Sequence, residues 1–112
     1  MEHGHSLMIP PHFDGNNYAY RKVRMKAFLK SIDERVWNFV EYGWEKPTTL
    51  VSEWETSKKE ATTFNSKAIN VIFNAISMEE FKRISKVEVT HIAWNILQTV
   101  YESTKAVKIN KL

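Results

Sequence analysis

SEWETSKKEATTFNSKAINVIFNAI, running from Ser52 to Ile76, says more about the architecture than any other stretch of the chain. Ser52 with Glu55 reads as a capping box, in which hydroxyl and carboxylate each satisfy a backbone donor left free at a helix start. Ser77 with Glu80 reads as a second box, so the helix should break between Ile76 and Ser77 and a new one begin. Between these signals Trp54, Ala61, Phe64, Ala68, Val71, Ile72 and Ala75 fall on one face at helical spacing. Ile69, Phe73 and Ile76 cover a second face. A helix apolar on two sides needs partners around it. The expected fold is all-α, a compact bundle of five to six helices around a long central helix.

The whole composition agrees. The chain has 112 residues, of which 43% are hydrophobic, with four Trp and only three Gly and three Pro. A chain of that size buries roughly two thirds of the surface its unfolded form exposes, enough for one domain with one core. Sixteen basic residues against 13 acidic ones leave +3, and the two signs are interspersed, so no strong field for a polyanion is built. Without cysteine there is no disulfide framework, zinc knuckle or thiol catalysis within this stretch. No apolar run approaches the ~20 residues that span a bilayer, and the opening lacks a signal-peptide core, so no membrane role and an intracellular, soluble protein are expected.

Upstream, residues 1–12 read as a flexible lead containing His3 and His5, which lack the further ligands a metal site requires. Phe13 to Asn17 reads as a turn with one apolar anchor, and Asn17 or Asn16 should cap a helix from Tyr18 to about Lys30. Its inward positions are Tyr18, Arg21, Met25, Phe28 and Ile32. Arg21 is the misfit: it either lays its methylenes along the core with its guanidinium in water, or makes an ionic contact or faces a partner. Ser31 with Glu34 reads as a third capping box, opening a helix with Val36, Trp37 and Val40 on one face and Gly43 at its end. Pro47 bars helix continuation in the loop that follows. There Trp44 either packs over the end of the core or forms, with Pro47, an aromatic clamp for a peptide.

Downstream, Met78 to about Ser85 should be short and helical, with Phe81 and Ile84 inward. A fifth helix, capped by Thr90, should run to about Glu102, with Ile92, Ala93, Ile96, Leu97, Val100 and Tyr101 inward and Trp94 on one flank. Residues 13–102 then form the domain. Residues 103–112 read as the first turns of a further, truncated helix, so the natural chain is expected to continue past Leu112. The expected core includes Tyr18, Met25, Phe28, Trp37, Val40, Trp54, Ala68, Val71, Ile72 and Leu97.

Chemistry is harder to find. No paired carboxylates, nucleophile with a base, metal cluster or phosphate loop has motif-level spacing, so catalytic, metal and cofactor residues are expected to be none and the protein is not expected to be an enzyme. Arg21, Lys22, Arg24 and Lys26 form the one basic run. They are weak nucleic-acid candidates, because Val23 and Met25 interrupt the run and the helix must also bury a face.

From Pro10 to Pro47, PPHFDGNNYAYRKVRMKAFLKSIDERVWNFVEYGWEKP resembles the N-terminal part of the Gag polypeptide of copia-type LTR retrotransposons, as found in plants. SEWETSKKEATTFNSKAINVIFNAISMEEFKRISKVEVTHIAWNILQTVYEST looks like the next portion of the same family, and KAVKINKL is similar to the start of its following helix. Phe13, Gly15, Tyr18, Met25, Leu29, Trp37, Val40, Trp54, Ala68, Leu97 and the stretch from Ala106 to Leu112 fall on pattern positions of the family.

The resemblance implies a retroelement capsid module, similar to a capsid N-terminal domain, that self-associates into virus-like particles in the cytoplasm and packages the element's RNA. The family commonly has Trp where this chain has Arg21, as in a decayed copy or a domesticated host gene, for which the nucleus becomes an alternative location. The family's zinc knuckle lies downstream, so RNA is expected to be bound mainly outside this stretch. The alternative function is an adaptor binding a host protein or nucleic acid. For self-association, as homodimer or higher assembly, the candidates are Trp94, Tyr101, Val107 and Leu112, since buried aromatics dominate such contacts and an amphipathic terminal helix needs a partner.

Overall fold

The computed structural model describes residues 9–110, with side chains through residue 103; His3, His5 and Leu112 lie outside the described residues. Five α-helices follow one another: α1 (Tyr18–Ile32), α2 (Glu34–Tyr42), α3 (Thr56–Ala75), α4 (Met78–Ile84) and α5 (Thr90–Asn110), with a single 3-10 turn at Val51–Glu53 before α3. There is no strand among the described residues, and the chain is an all-α bundle.

The helix ends show which capping signals were real. Ser77 caps α4, its Oγ accepting the Glu80 N–H at 3.3 Å, and Gly43, at φ 105°, ends α2 with its N–H on the Phe39 carbonyl. The box at Ser52 does not form. Ser52 sits in the 3-10 turn, Trp54 is extended, and Glu55 precedes the first residue of α3 without a side-chain cap. The box at Ser31 gives way to Asp33, whose carboxylate accepts the Arg35 N–H at 2.9 Å, while Ser31 Oγ turns back to the Phe28 carbonyl. Asn17 precedes α1 in the left-handed region (φ 53°) with no side-chain cap bond, a conformation asparagine tolerates better than most residues. No helix starts at Ser103, because α5 runs unbroken from Thr90 to Asn110.

Packing follows the helical period, with one phase error. α2 has only nine residues, yet Val36, Trp37 and Val40 are all buried, and it packs against α1, α3 and α5. The long α3 contributes Phe64, Ala68, Val71, Ile72 and Ala75 to the core, with Ile69, Phe73 and Ile76 partly buried beside them. Its first turn is exposed. On α1 the buried residues are Tyr18, Met25 and Leu29; Phe28 and Ile32 sit at the core's edge. Trp54, expected in the core, is half-buried at its margin, because the chain is not yet helical there.

On α5 the buried positions are Thr90, Ala93, Trp94, Leu97 and Tyr101, while Ile92 is 48% exposed. At 100° per residue the inward arc is rotated by roughly 60° from the expected one. Trp94 causes the rotation. It stacks on Phe13 (centroids 5.1 Å apart, planes 5° apart) and meets Trp37 edge-on at 5.4 Å. Phe13 is itself fully buried, with its N–H on the Ala75 carbonyl (2.8 Å), its carbonyl accepting from Tyr101 Oη (3.1 Å), and the Tyr101 ring edge-on at 5.2 Å. The segment before α1 is thereby fastened to the end of α3 and the middle of α5.

Thr90 does not cap α5. Its N–H donates to Asn65 Oδ1 and its hydroxyl to the Asn65 carbonyl, both at 2.9 Å, while Asn65 Nδ2 donates to the Glu88 carbonyl at 2.7 Å. Both residues are buried.

Phe13→Ala is expected to lower unfolding stability by about 3–5 kcal/mol, as large-to-small changes at filled aromatic sites do. Tyr101→Phe, which removes only the hydroxyl bond, should cost about 1 kcal/mol. Urea denaturation of both variants checks this, and the reverse order would show that the Phe13 segment is not seated on α5.

Candidate interaction surface

The basic run of α1 does not converge. Arg21 turns back onto the preceding segment: its Nε donates to the Asn16 carbonyl (2.7 Å), with Asp14 Oδ1 at 3.2 Å, and Nη1 donates to the His12 carbonyl (3.0 Å). Asp14 Oδ1 also accepts the Asn16 N–H. Arg21 therefore clips the turn that carries Phe13, which answers the misfit in the α1 seam: the residue has an ionic partner within the chain. Lys22 lies over the Tyr18 ring and Lys26 over the Trp37 ring, at 5.9 and 5.4 Å from the centroids. Arg24 is exposed. The four cations are spread around the helix, and three of them are engaged locally.

The two aromatic self-association candidates also have other work. Trp94 is 3% and Tyr101 4% exposed, so both are core residues and offer no surface to a partner. Val107 falls within α5, and its side chain lies outside what the structure describes. The rotation that buries Trp94 leaves Ile92 exposed, with Ile96 and Val100 partly buried against the edge of the core. With Arg83, Asn95 and Thr99 they line a shallow groove of about 490 Å3 against α4.

Two further grooves are present. One, of about 540 Å3, lies between α1 and α3, with Phe28, Ile32 and Val71 as its floor and Ile9 and Pro10 as its wall. Its polar rim is Lys67, Asn70 and Asn74, and Asn74 Nδ2 donates to Asn70. The other, of about 420 Å3, lies under the loop joining α2 to α3, between Trp44, Pro47 and Trp54 above and Ile69 and Phe73 below. Trp44 is thus neither fully packed nor free. A Trp in a loop is a signal visible in sequence, but that Trp44 and Trp54 line one groove needed the fold.

The titratable groups serve the fold. Arg35, donating from its guanidinium and its backbone to Asp33, holds that carboxyl down to about 2, so the α2 cap stays ionised. His91 joins two helices, with Nδ1 2.7 Å from the Val40 carbonyl and Nε2 3.2 Å from Asn95 Nδ2. A neutral ring with its proton on Nδ1 satisfies both contacts. Tyr18, which donates to Gln98 Oε1, is pushed up to about 12 by burial and the nearby Glu102 charge. Burial pushes Tyr101 up as well, helped by Glu80 and Asp14. Glu80 Oε2 is buried without a hydrogen bond, and Arg83 Nε stands 3.5 Å from it.

Among the described residues there is no group of three or more His, Asp or Glu that could hold a metal, and no helix is long and apolar enough to cross a membrane. No protein-family model, curated protein or solved structure matches the chain.

Arg21→Trp is expected to lower stability by about 1 kcal/mol, since it removes charged donors from two carbonyls and a carboxylate at a partly exposed site. A gain on thermal melting would show that the clip contributes nothing. The tyrosines set an alkaline limit. Tyr18 and Tyr101 hold their protons more tightly folded than unfolded, where a tyrosine ionises near 10.0. Their contribution is whole below that pH and is lost above it, that of Tyr18 as pH rises through about 12 and that of Tyr101 at higher pH still. Absorbance near 295 nm should show their ionisation coinciding with loss of helical circular dichroism; ionisation of all tyrosines before unfolding would contradict the burial.

Proposed function

We propose that this chain is a structural, non-catalytic assembly module: the capsid-type region of a copia-type Gag polypeptide, self-associating into cytoplasmic virus-like particles. The resemblance from Pro10 to Leu112 suggests it, and the all-α bundle is compatible with it. The observation that supports self-association is the outer side of α5. Ile92 is 48% exposed, and Ile96 and Val100, partly buried against the core, line the same groove one and two turns on. Position 107 is three turns after Ile96 in the same helix, so its register continues that line. This moves the contact from Trp94 and Tyr101 to the opposite arc of the helix and keeps Val107 as its proposed extension, while Leu112 lies outside the described residues. RNA is packaged mainly through downstream regions in this reading. The second reading is a domesticated adaptor binding a host protein; the groove under the α2–α3 loop favours it.

Light scattering after size exclusion, over a hundredfold range of concentration, is expected to show a dimer or larger species. Ile92→Asp with Val107→Asp should leave the helical signal intact and weaken association at least tenfold. A wild-type monomer throughout, or association unchanged in the double variant, would remove α5 as the assembly surface.

A further inference from the structure

The groove beneath the α2–α3 loop is not used by the assembly reading. Its walls are the half-buried Trp44 and Trp54 with Pro47, its floor is Ile69 and Phe73, and its far side is Val87 in the α4–α5 loop. At about 420 Å3 it falls within the usual size of ligand sites, which run from about 300 to 1,000 Å3. The walls are held in place from behind. The Trp54 indole N–H donates to the Thr49 carbonyl (3.1 Å), bracing the loop on itself, and Asn65 fixes the opposite lip through the Glu88 carbonyl. Across the mouth Lys46 Nζ meets Glu88 Oε2 at 2.9 Å, with both side chains more than half exposed.

We propose that this groove binds an extended, acidic peptide, taking one apolar side chain between Trp44 and Trp54 and a neighbouring carboxylate on Lys46 and Lys86. Two indoles and a proline above an aliphatic and aromatic floor match the apolar faces of an extended, proline-containing segment, the surface that aromatic-lined grooves recognise. Charge selects the sign. Lys46 and Lys86 line the mouth against the single carboxylate of Glu88. An exposed ion pair contributes little, so a ligand carboxylate displaces Glu88 from Lys46 at small cost. A nucleic acid fits less well, because two lysines at the mouth, one of them paired with Glu88, are too few to follow a run of phosphates.

The test is a titration of the whole chain with acetyl-Glu-Pro-Leu-Pro-Glu-amide, read by tryptophan fluorescence and calorimetry, beside the lysine counterpart acetyl-Lys-Pro-Leu-Pro-Lys-amide. Saturable binding of the acidic peptide, at least tenfold tighter than the basic one, is expected. Trp44→Ala should weaken it at least tenfold, and Glu88→Gln, which frees Lys46 and keeps the backbone bond to Asn65, should strengthen it severalfold. Lys46→Glu, a surface change that leaves the helical signal intact, should reverse the preference between the peptides; this keeps the test decisive if Trp44→Ala fails to fold. No binding, equal binding of both peptides, or binding unmoved by Lys46→Glu overturns the proposal. Saturation of the same signal by an eight-nucleotide oligothymidylate, with neither peptide competing, also overturns it and assigns the groove to single-stranded nucleic acid. None of these outcomes depends on self-association.

Discussion

Phe13 is held on every side. Its ring is stacked on Trp94 and edged by Tyr101, its N–H is on the Ala75 carbonyl, and its own carbonyl takes the Tyr101 hydroxyl. Trp94 passes the contact to Trp37, and Tyr101 to Tyr18 at 5.6 Å, so one aromatic chain links the segment before α1 with α1, α2 and α5. A side chain this enclosed combines area burial with favourable ring geometry. The turn that delivers it depends on Arg21 and Asp14, which explains why a charged residue occupies a half-buried place in α1. Removing the anchor would leave α5 without the partner that sets its rotation.

That rotation decides what α5 leaves at the surface. Helix α5 has enough apolar residues for an arc wider than the bundle can cover. The side facing Phe13 and Trp37 captures Trp94, Leu97 and Tyr101, Ile96 and Val100 pack partly against the core, and Ile92 stays outside. Ile92 is left exposed because the aromatics were drawn inward. The buried amide of Asn65 fixes the start of the same helix. With its side chain bonded to Thr90 and Glu88, it sets where α5 begins relative to α3 and where the lip of the tryptophan groove lies.

Much of this was legible in the residues alone. The 3.6-residue period identified α3 and most of its core positions, and Ser77 and Gly43 marked helix ends. Capping signals were less reliable where neighbouring residues competed. At Ser31 the adjacent Asp33 offers a carboxylate in the better position, and at Ser52 the chain takes a 3-10 turn before α3 begins. Asn65 gave no signal at all, because a polar residue beside Phe64 reads as solvent-facing unless the backbone of Glu88 and Thr90 is known to lie against it.

The sequence by itself determined the helices, the apolar side of each to within about a turn's width, and the all-α class, because these depend on periodicity and on local capping chemistry. The tertiary structure decided which apolar residues win the interior. It put Trp94 inside and Ile92 outside, turned Arg21 from a core misfit into a clip, and set Trp44 beside Trp54 across a groove. The reason is physical: a period gives the phase of a pattern along one helix, but the arc that is buried depends on what other elements bring against it. Those contacts join residues as distant as Phe13 and Tyr101, 88 positions apart.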